Sequence, residues 1–281
     1  MSGMSYALAV FSAVSYGAAD FLGGLATKRF ATYSVLVFSQ LTGLVLVLLA
    51  LPFLPSATPT PSDFLWGAAG GLTGGIGVAL LYRGLAIGVM SVVAPVTAVC
   101  AVLIPLAVGA ALGERPAGLA LVGVLLALLA IVLVSQTGLD AEGKRPTTGL
   151  SIAVLSGICI GVFLVCLQRT GPAAGLWPLV AARAVTVTFF GIVAVALGAA
   201  VRPRRESLAL VIGGGGLDMV ANILYLLAVR VGPLGIVATL ASLYPASTVI
   251  LARVVLHERL RPVQLSGVVC AAAAIVLIVS A

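Results

Sequence analysis

Ten apolar runs succeed one another along the chain, each bounded by proline, glycine or charge. They span residues 5–25, 33–54, 64–85, 89–112 and 117–136 and then, after a polar stretch at 137–148, residues 149–168, 176–199, 208–229, 234–256 and 262–280. Crossing the hydrocarbon core of a bilayer takes about 20 residues of helix, so each run predicts one transmembrane helix. Strands of a membrane barrel would alternate apolar and polar residues, and these runs do not. Turn formers mark the connections, as in Pro55-Ser56-Ala57-Thr58-Pro59-Thr60-Pro61 and Arg202-Pro203-Arg204-Arg205. The first run has the position of a secretory signal, but it lacks a basic segment before it, contains Asp20 and is followed by further spans. It is read as a retained helix.

Composition agrees. Of 281 residues, 62% are apolar and 8% charged, and the mean hydropathy is +1.26. Soluble domains carry about 25% charged residues, so this chain cannot coat a water-facing surface and is an integral membrane protein. Ten spans use about 200 residues, which leaves no soluble catalytic domain. The net charge of +7 is first explained by basic loops at a membrane rather than by nucleic-acid binding. Cys100, Cys159, Cys166 and Cys270 lie inside apolar runs without paired spacing, and His257 is the only histidine. No metal site, cofactor or catalytic triad is expected, and the chain is not read as an enzyme.

The two halves repeat at a constant offset. Gly113-Glu114-Arg115 recurs 144 residues later as His257-Glu258-Arg259, and the same offset sets Gly88 on Gly232, Gly123 on Gly267, Ser12 on Ser156 and Gly17 on Gly161. The division is residues 1–136 and 149–281, joined by 137–148. Five spans per unit is an odd number, so the second unit enters the membrane from the opposite side. The expected fold is therefore all-α, with ten transmembrane helices as two inverted five-helix repeats, a plan that puts a substrate site near the bilayer midplane where the repeats meet. Pro245 stands where the first repeat has Ala101, with Pro95 and Pro105 displaced, so a proline-dependent bend should differ between the two fourth-type helices.

Tyr16-Gly17-Ala18-Ala19-Asp20-Phe21, Leu81-Tyr82-Arg83-Gly84-Leu85 and Tyr244-Pro245 ahead of Glu258-Arg259, on this doubled plan, resemble EamA-type members of the drug/metabolite transporter superfamily over essentially the whole chain. The resemblance implies a multi-pass secondary transporter of the cytoplasmic (inner) membrane that moves a small organic metabolite or drug, more often outward, and has both termini in the cytoplasm. No ATP-binding motif is present, so an ion gradient or the substrate's own gradient would drive it. The loop charges point the other way on orientation. Lys28, Arg29, Arg83, Lys144, Arg145, Arg202, Arg204, Arg205, Arg253, Arg259 and Arg261 face Arg115, Arg169 and Arg230 across the membrane, which taken alone puts both termini outside.

Three ionisable residues fall well inside predicted helices: Asp20, Arg183 and Asp218. A charge at bilayer depth costs about 2.5–3.5 kcal/mol on insertion scales, so each should face a cavity or a partner. Asp218 shares a helical face with Asn222 and Tyr225, and Asp20 with Tyr16 and Ser12. If Arg183 pairs with one aspartate as structural glue, the other is left to hold a proton or attract a cation, because desolvation penalises its bare charge. Tyr82 and Tyr225 either stack on an aromatic or cationic ligand or anchor helix ends at the interface. The candidate substrate- or proton-binding set is Asp20, Arg183, Asp218, Asn222, Tyr225, Tyr16 and Tyr82. An alternative is facilitated exchange of a neutral or zwitterionic solute such as an amino acid, with Arg183 for its carboxylate. From a different class, an intramembrane enzyme or a non-transporting subunit is opposed by the polar stripe and by the lack of a nucleophile and base. Residues 70–77 and 213–216 are glycine-rich, for close helix packing or for local unwinding beside a cavity. Glu114 and Glu258 are expected in exposed pairs or turns, Arg83, Arg115, Arg169, Arg230 and Arg259 at the headgroups, and Trp66 and Trp177 as interface anchors.

Overall fold

Hydrocarbon on every side leaves the backbone no partner but itself, and the chain meets that demand with helices throughout. A computed structural model describes residues 2–27, 32–87, 90–115, 118–134, 149–196, 205–255 and 261–281. The polar stretch 137–148, Lys28, Arg29, Gly88, Arg202, Arg204, His257, Glu258 and Arg259 lie outside them. The helices are α1 (Ser2–Thr27), α2 (Thr32–Ala50), α3 (Pro61–Ile87), α4 (Met90–Ala111), α5 (Gly118–Val134), α6 (Leu150–Gln168), α7 (Trp177–Ala196), α8 (Arg205–Val231), α9 (Leu234–Ala241), α10 (Tyr244–Val255) and α11 (Pro262–Val279). Among the described residues, eight stretches are long and apolar enough to cross a membrane, with α9 and α10 together making one of them. The fourth and fifth runs contribute the shorter apolar stretches Val96–Ala111 and Gly118–Val134.

The ninth run is where the structure departs from a plain helix. It breaks at Ser242 and Leu243, whereas α4, its counterpart, runs unbroken through Ala101. Pro245 has no N–H for the carbonyl of Ala241, so the ninth run stops there and restarts as α10 with the proline in its first turn. Glycine-rich α3 and α8, by contrast, stay continuous. Their glycines serve close approach: a Cβ on Gly67 would stand 2.9 Å from the Cα of Pro178, and one on Gly215 would stand 2.8 Å from the Cα of Ser39. Backbone cannot give way as a flexible side chain can. Gly215→Val is therefore expected to lower Tm in detergent sharply, by a strain of about 1–3 kcal/mol or more. Gly191→Ala, where nothing lies within 4 Å, should leave Tm unchanged.

On α5 small residues take most of the inward positions and leucines most of the outward ones, the order expected where lipid rather than water surrounds the bundle. Ala120, Gly123, Ala127 and Ala130 are buried while Leu121, Leu125 and Leu129 are exposed. The halves interlock crosswise: α1 packs against α8 and α3 against α6, α4 against α6 and α9–α10 against α1, and α5 against α11. The hydrogen bonds repeat this exchange. Ser12 donates to the carbonyl of Ala221 at 2.8 Å, and Ser156, its counterpart, donates to that of Gly77 at 2.7 Å. A Cβ on Gly123 would meet Ile278 and one on Gly267 would meet Val134, again with the halves swapped. Each of these contacts maps onto its mate through the 144-residue offset.

Candidate functional site

A cavity of about 130 Å³ lies where α1, α2, α3, α4, α6, α7, α8 and the α9–α10 break converge. Arg183 of α7 is 8% exposed, and it bonds both the side-chain oxygen of Gln40 in α2 and the carboxylate of Asp218 in α8. The Asp218 side chain is 32% exposed. An isolated guanidinium at this depth would be prohibitively costly, and the two partners hold it in place. Gln40 was not among the expected site residues; the available signal was that it is the only amide in the second run.

Asp20 is exposed, and it lines this cavity and a smaller one of about 60 Å³ beside it. Asp218 and Gln40 line both as well. Among the described residues Asp20 has no ion-pair partner, since the one guanidinium of the site is taken by Asp218. The depth of Asp20 follows from helix register. Ser12 meets Ala221 and Ala19 lies beside Gly214, so antiparallel α1 and α8 set Tyr16 level with Asp218. Asp20 stands four residues further along α1, about 6 Å away. The smaller cavity continues in that direction, past Gly23, Val35 and Leu210.

Tyr16 and Asn222 line the main cavity, and each holds a buried polar atom without a partner among the described residues, the Tyr16 hydroxyl and the Asn222 Oδ1. Tyr16 also stacks edge-on with Tyr244 beside the helix break, with ring centroids 6.4 Å apart. The polar face expected of α8 splits. Asn222 stays with Asp218, while Tyr225 is fully buried away from the cavity and donates to the Leu164 carbonyl at 3.2 Å. The side chain of Tyr82 lies outside the described residues.

At the far end, where α3 and α9 begin and α6 and α8 finish, hydrogen bonds stitch the two halves together. Glu114 is not an exposed pair: its two oxygens accept from the N–H groups of Leu234 and Gly235 at 2.6 and 2.9 Å. It thereby caps α9 from the opposite half, and the helix N-terminus favours its negative charge. Asp63 caps α3 through Thr60 and accepts from the N–H of Gly171 at 2.7 Å. Arg230, expected at the headgroups, instead donates to the Gly171 carbonyl at 3.1 Å, and the N–H of Thr58 donates to the Ala173 carbonyl at 2.9 Å. Glu114→Ala would leave two amides unpaired at about 1–3 kcal/mol each when buried, so its Tm should fall clearly below wild type, with Glu114→Gln in between.

A helical bundle of membrane-crossing length, with a largely apolar cavity that holds a few charged and polar groups between two interlocked halves, has the architecture of a multi-pass membrane transporter. The family model described as "EamA-like transporter family" matches the chain twice, over residues 3–136 and 147–280, again 144 residues apart. The chain belongs to the EamA-like transporter family, whose members carry small molecules across membranes. No curated protein matches the sequence. Among solved structures, one described as "Crystal structure of protein" superimposes with a TM-score of 0.79 at 16% identity, covering 97% of this chain and 96% of its own. At that identity the likeness speaks for the fold alone.

Proposed function

We propose that this protein is a secondary-active exporter of a small organic solute in the cytoplasmic (inner) membrane, coupled to protons through Asp20. Ten membrane-crossing helices in two inverted five-helix repeats, residues 1–136 and 149–281, form the transport unit. The crosswise exchange of Ser12 and Ser156 contacts supports a two-fold relation between the halves. Five spans per half make that relation an inverted one. The observation that carries the coupling is charge arithmetic. Asp218 takes up the charge of Arg183, and Asp20 faces the cavity uncompensated. A lone carboxylate at membrane depth needs a proton or a cation, so the two compete for one site.

The groups facing Asp20 across the cavities are Asp218 and Asn222 of α8, Arg183 of α7, Gln40 of α2 and Tyr16 one turn back on α1. Solute binding at Asp20 expels the proton, and release of the solute on the far side lets a new one bind. The exchange needs the stitched end to open as the other closes, and Glu114 and Asp63 are the contacts that must part. Capture of a carboxylate by Arg183, which the amino-acid exchanger reading requires, would first have to break the Arg183–Asp218 pair.

The test is flux in proteoliposomes with labelled solutes from a broad panel. An acidic interior should drive uptake of one or more solutes, because protons leaving the vesicle are exchanged for solute. Failure to move any solute, with or without the gradient, would refute the proposal.

A further inference from the structure

We propose that the cavity selects a small organic ammonium ion bearing N–H groups, over a quaternary ammonium or a zwitterion built on the same body, and that Asn222 makes this choice. The inference rests on the transport reading for its purpose, while the binding it describes is measurable without flux.

Asn222 is 2% exposed and lines the cavity. Its Nδ2 donates to the carbonyl of Asp218, one turn back in α8, at 2.7 Å. Only the NH₂ of an amide can donate to a carbonyl, so this bond fixes which way round the side chain sits. Oδ1 is therefore the atom left over, buried and, among the described residues, without a donor. Such an acceptor carries a free-energy cost until a donor reaches it.

Among the described residues, Asp20 is an acceptor with no ion-pair partner, and the buried Tyr16 hydroxyl has no hydrogen-bond partner. Arg183, the one strong donor, is bonded to Gln40 and Asp218. What remains is a carboxylate, an amide oxygen and a hydroxyl that can act either way, with the Nε2 of Gln40 and the hydroxyl of Ser242 beside them and no second cation lining the cavity among the described residues. A ligand complementary to this set brings positive charge and N–H donors together. A carboxylate finds no uncommitted cation, and a quaternary ammonium brings charge but nothing for Oδ1 of Asn222.

Size and polarity narrow the class further. The volume of about 130 Å³ is close to the roughly 150 Å³ of an apolar cavity that holds benzene. Ile160, Phe163, Leu164, Leu179 and the glycine face of α3 supply apolar wall. One ring, or an alkyl group of similar bulk, fits beside the ammonium.

The experiment is calorimetric titration of the purified full-length protein in detergent with phenethylammonium, its N,N,N-trimethyl analogue and phenylalanine, which share one ring. Wild type should bind phenethylammonium about tenfold or more tightly than either of the others, the worth of a hydrogen bond to a charged donor. In Asn222→Ala that preference over the trimethyl ion should shrink to within about threefold. Equal affinities for the primary and trimethyl ions in wild type, tighter binding of phenylalanine, or no binding of any of the three overturns the inference without recourse to a variant. The same protein in liposomes separates the two readings. Selective binding with no flux of any solute contradicts the transport reading alone, and flux of other solutes without preference for N–H groups contradicts the ammonium inference alone.

Discussion

Asp20→Asn should abolish the dependence of solute flux on an imposed pH gradient while leaving Tm at or slightly above the wild-type value. Asparagine keeps the size and shape of the side chain and removes its charge. Asp20 is exposed to the cavity and has no ion-pair partner among the described residues, so the change strands no neighbouring charge. It removes an uncompensated charge at membrane depth, which is itself unfavourable, so stability should not fall. Downhill exchange of labelled solute, without a gradient, separates loss of coupling from loss of folding. If Asp20→Asn keeps full gradient-driven accumulation, the proton is carried elsewhere.

Asp218→Asn should do the reverse. Arg183 would keep Gln40 but lose its counter-charge, and breaking one partner from a buried pair costs about 3–5 kcal/mol, here toward the lower end because Asp218 reaches the cavity. Expression and Tm should drop together. In the double variant Asp218→Asn, Arg183→Gln both charges are gone, and because the two sites are in contact their effects should not add. Tm should recover much of the loss, and pH-gradient dependence should survive through Asp20. A double variant no more stable than Asp218→Asn would mean that the pair is not what holds these helices.

Hydropathy made the helices legible because a membrane helix must be apolar along its whole length, and the repeat was legible because Glu114 and Glu258 mark the same point of two similar units. A difference between the two fourth-type helices was legible from Pro245 against Ala101, but not that it would be a full break at Ser242 and Leu243, since Pro95 and Pro105 send the same signal from inside α4 and leave that helix unbroken. Charge made Asp20, Arg183 and Asp218 visible. Which aspartate Arg183 pairs with depends on how α7 and α8 are placed, and no pattern within either helix states that. Gln40 stayed hidden because an amide in hydrocarbon is less conspicuous than a charge. Tyr225 shares a helical stripe with Asp218, but the cavity ends before reaching it. Glu114 at a helix end resembled a water-facing charge; its partners, the amides of Leu234 and Gly235, are 120 and 121 residues away.

The central claim is that proton and solute share Asp20, and the most direct measurement is proton movement during solute exchange. Proteoliposomes holding a trapped pH indicator, with no initial gradient, are given the solute that the flux screen identifies. The account predicts that wild type exports about one proton for each solute taken up, the yield of a single carboxylate, so that the lumen turns alkaline. Asp20→Asn should show no such change. Solute uptake by wild type without proton movement, or an unchanged proton signal from Asp20→Asn, would contradict it.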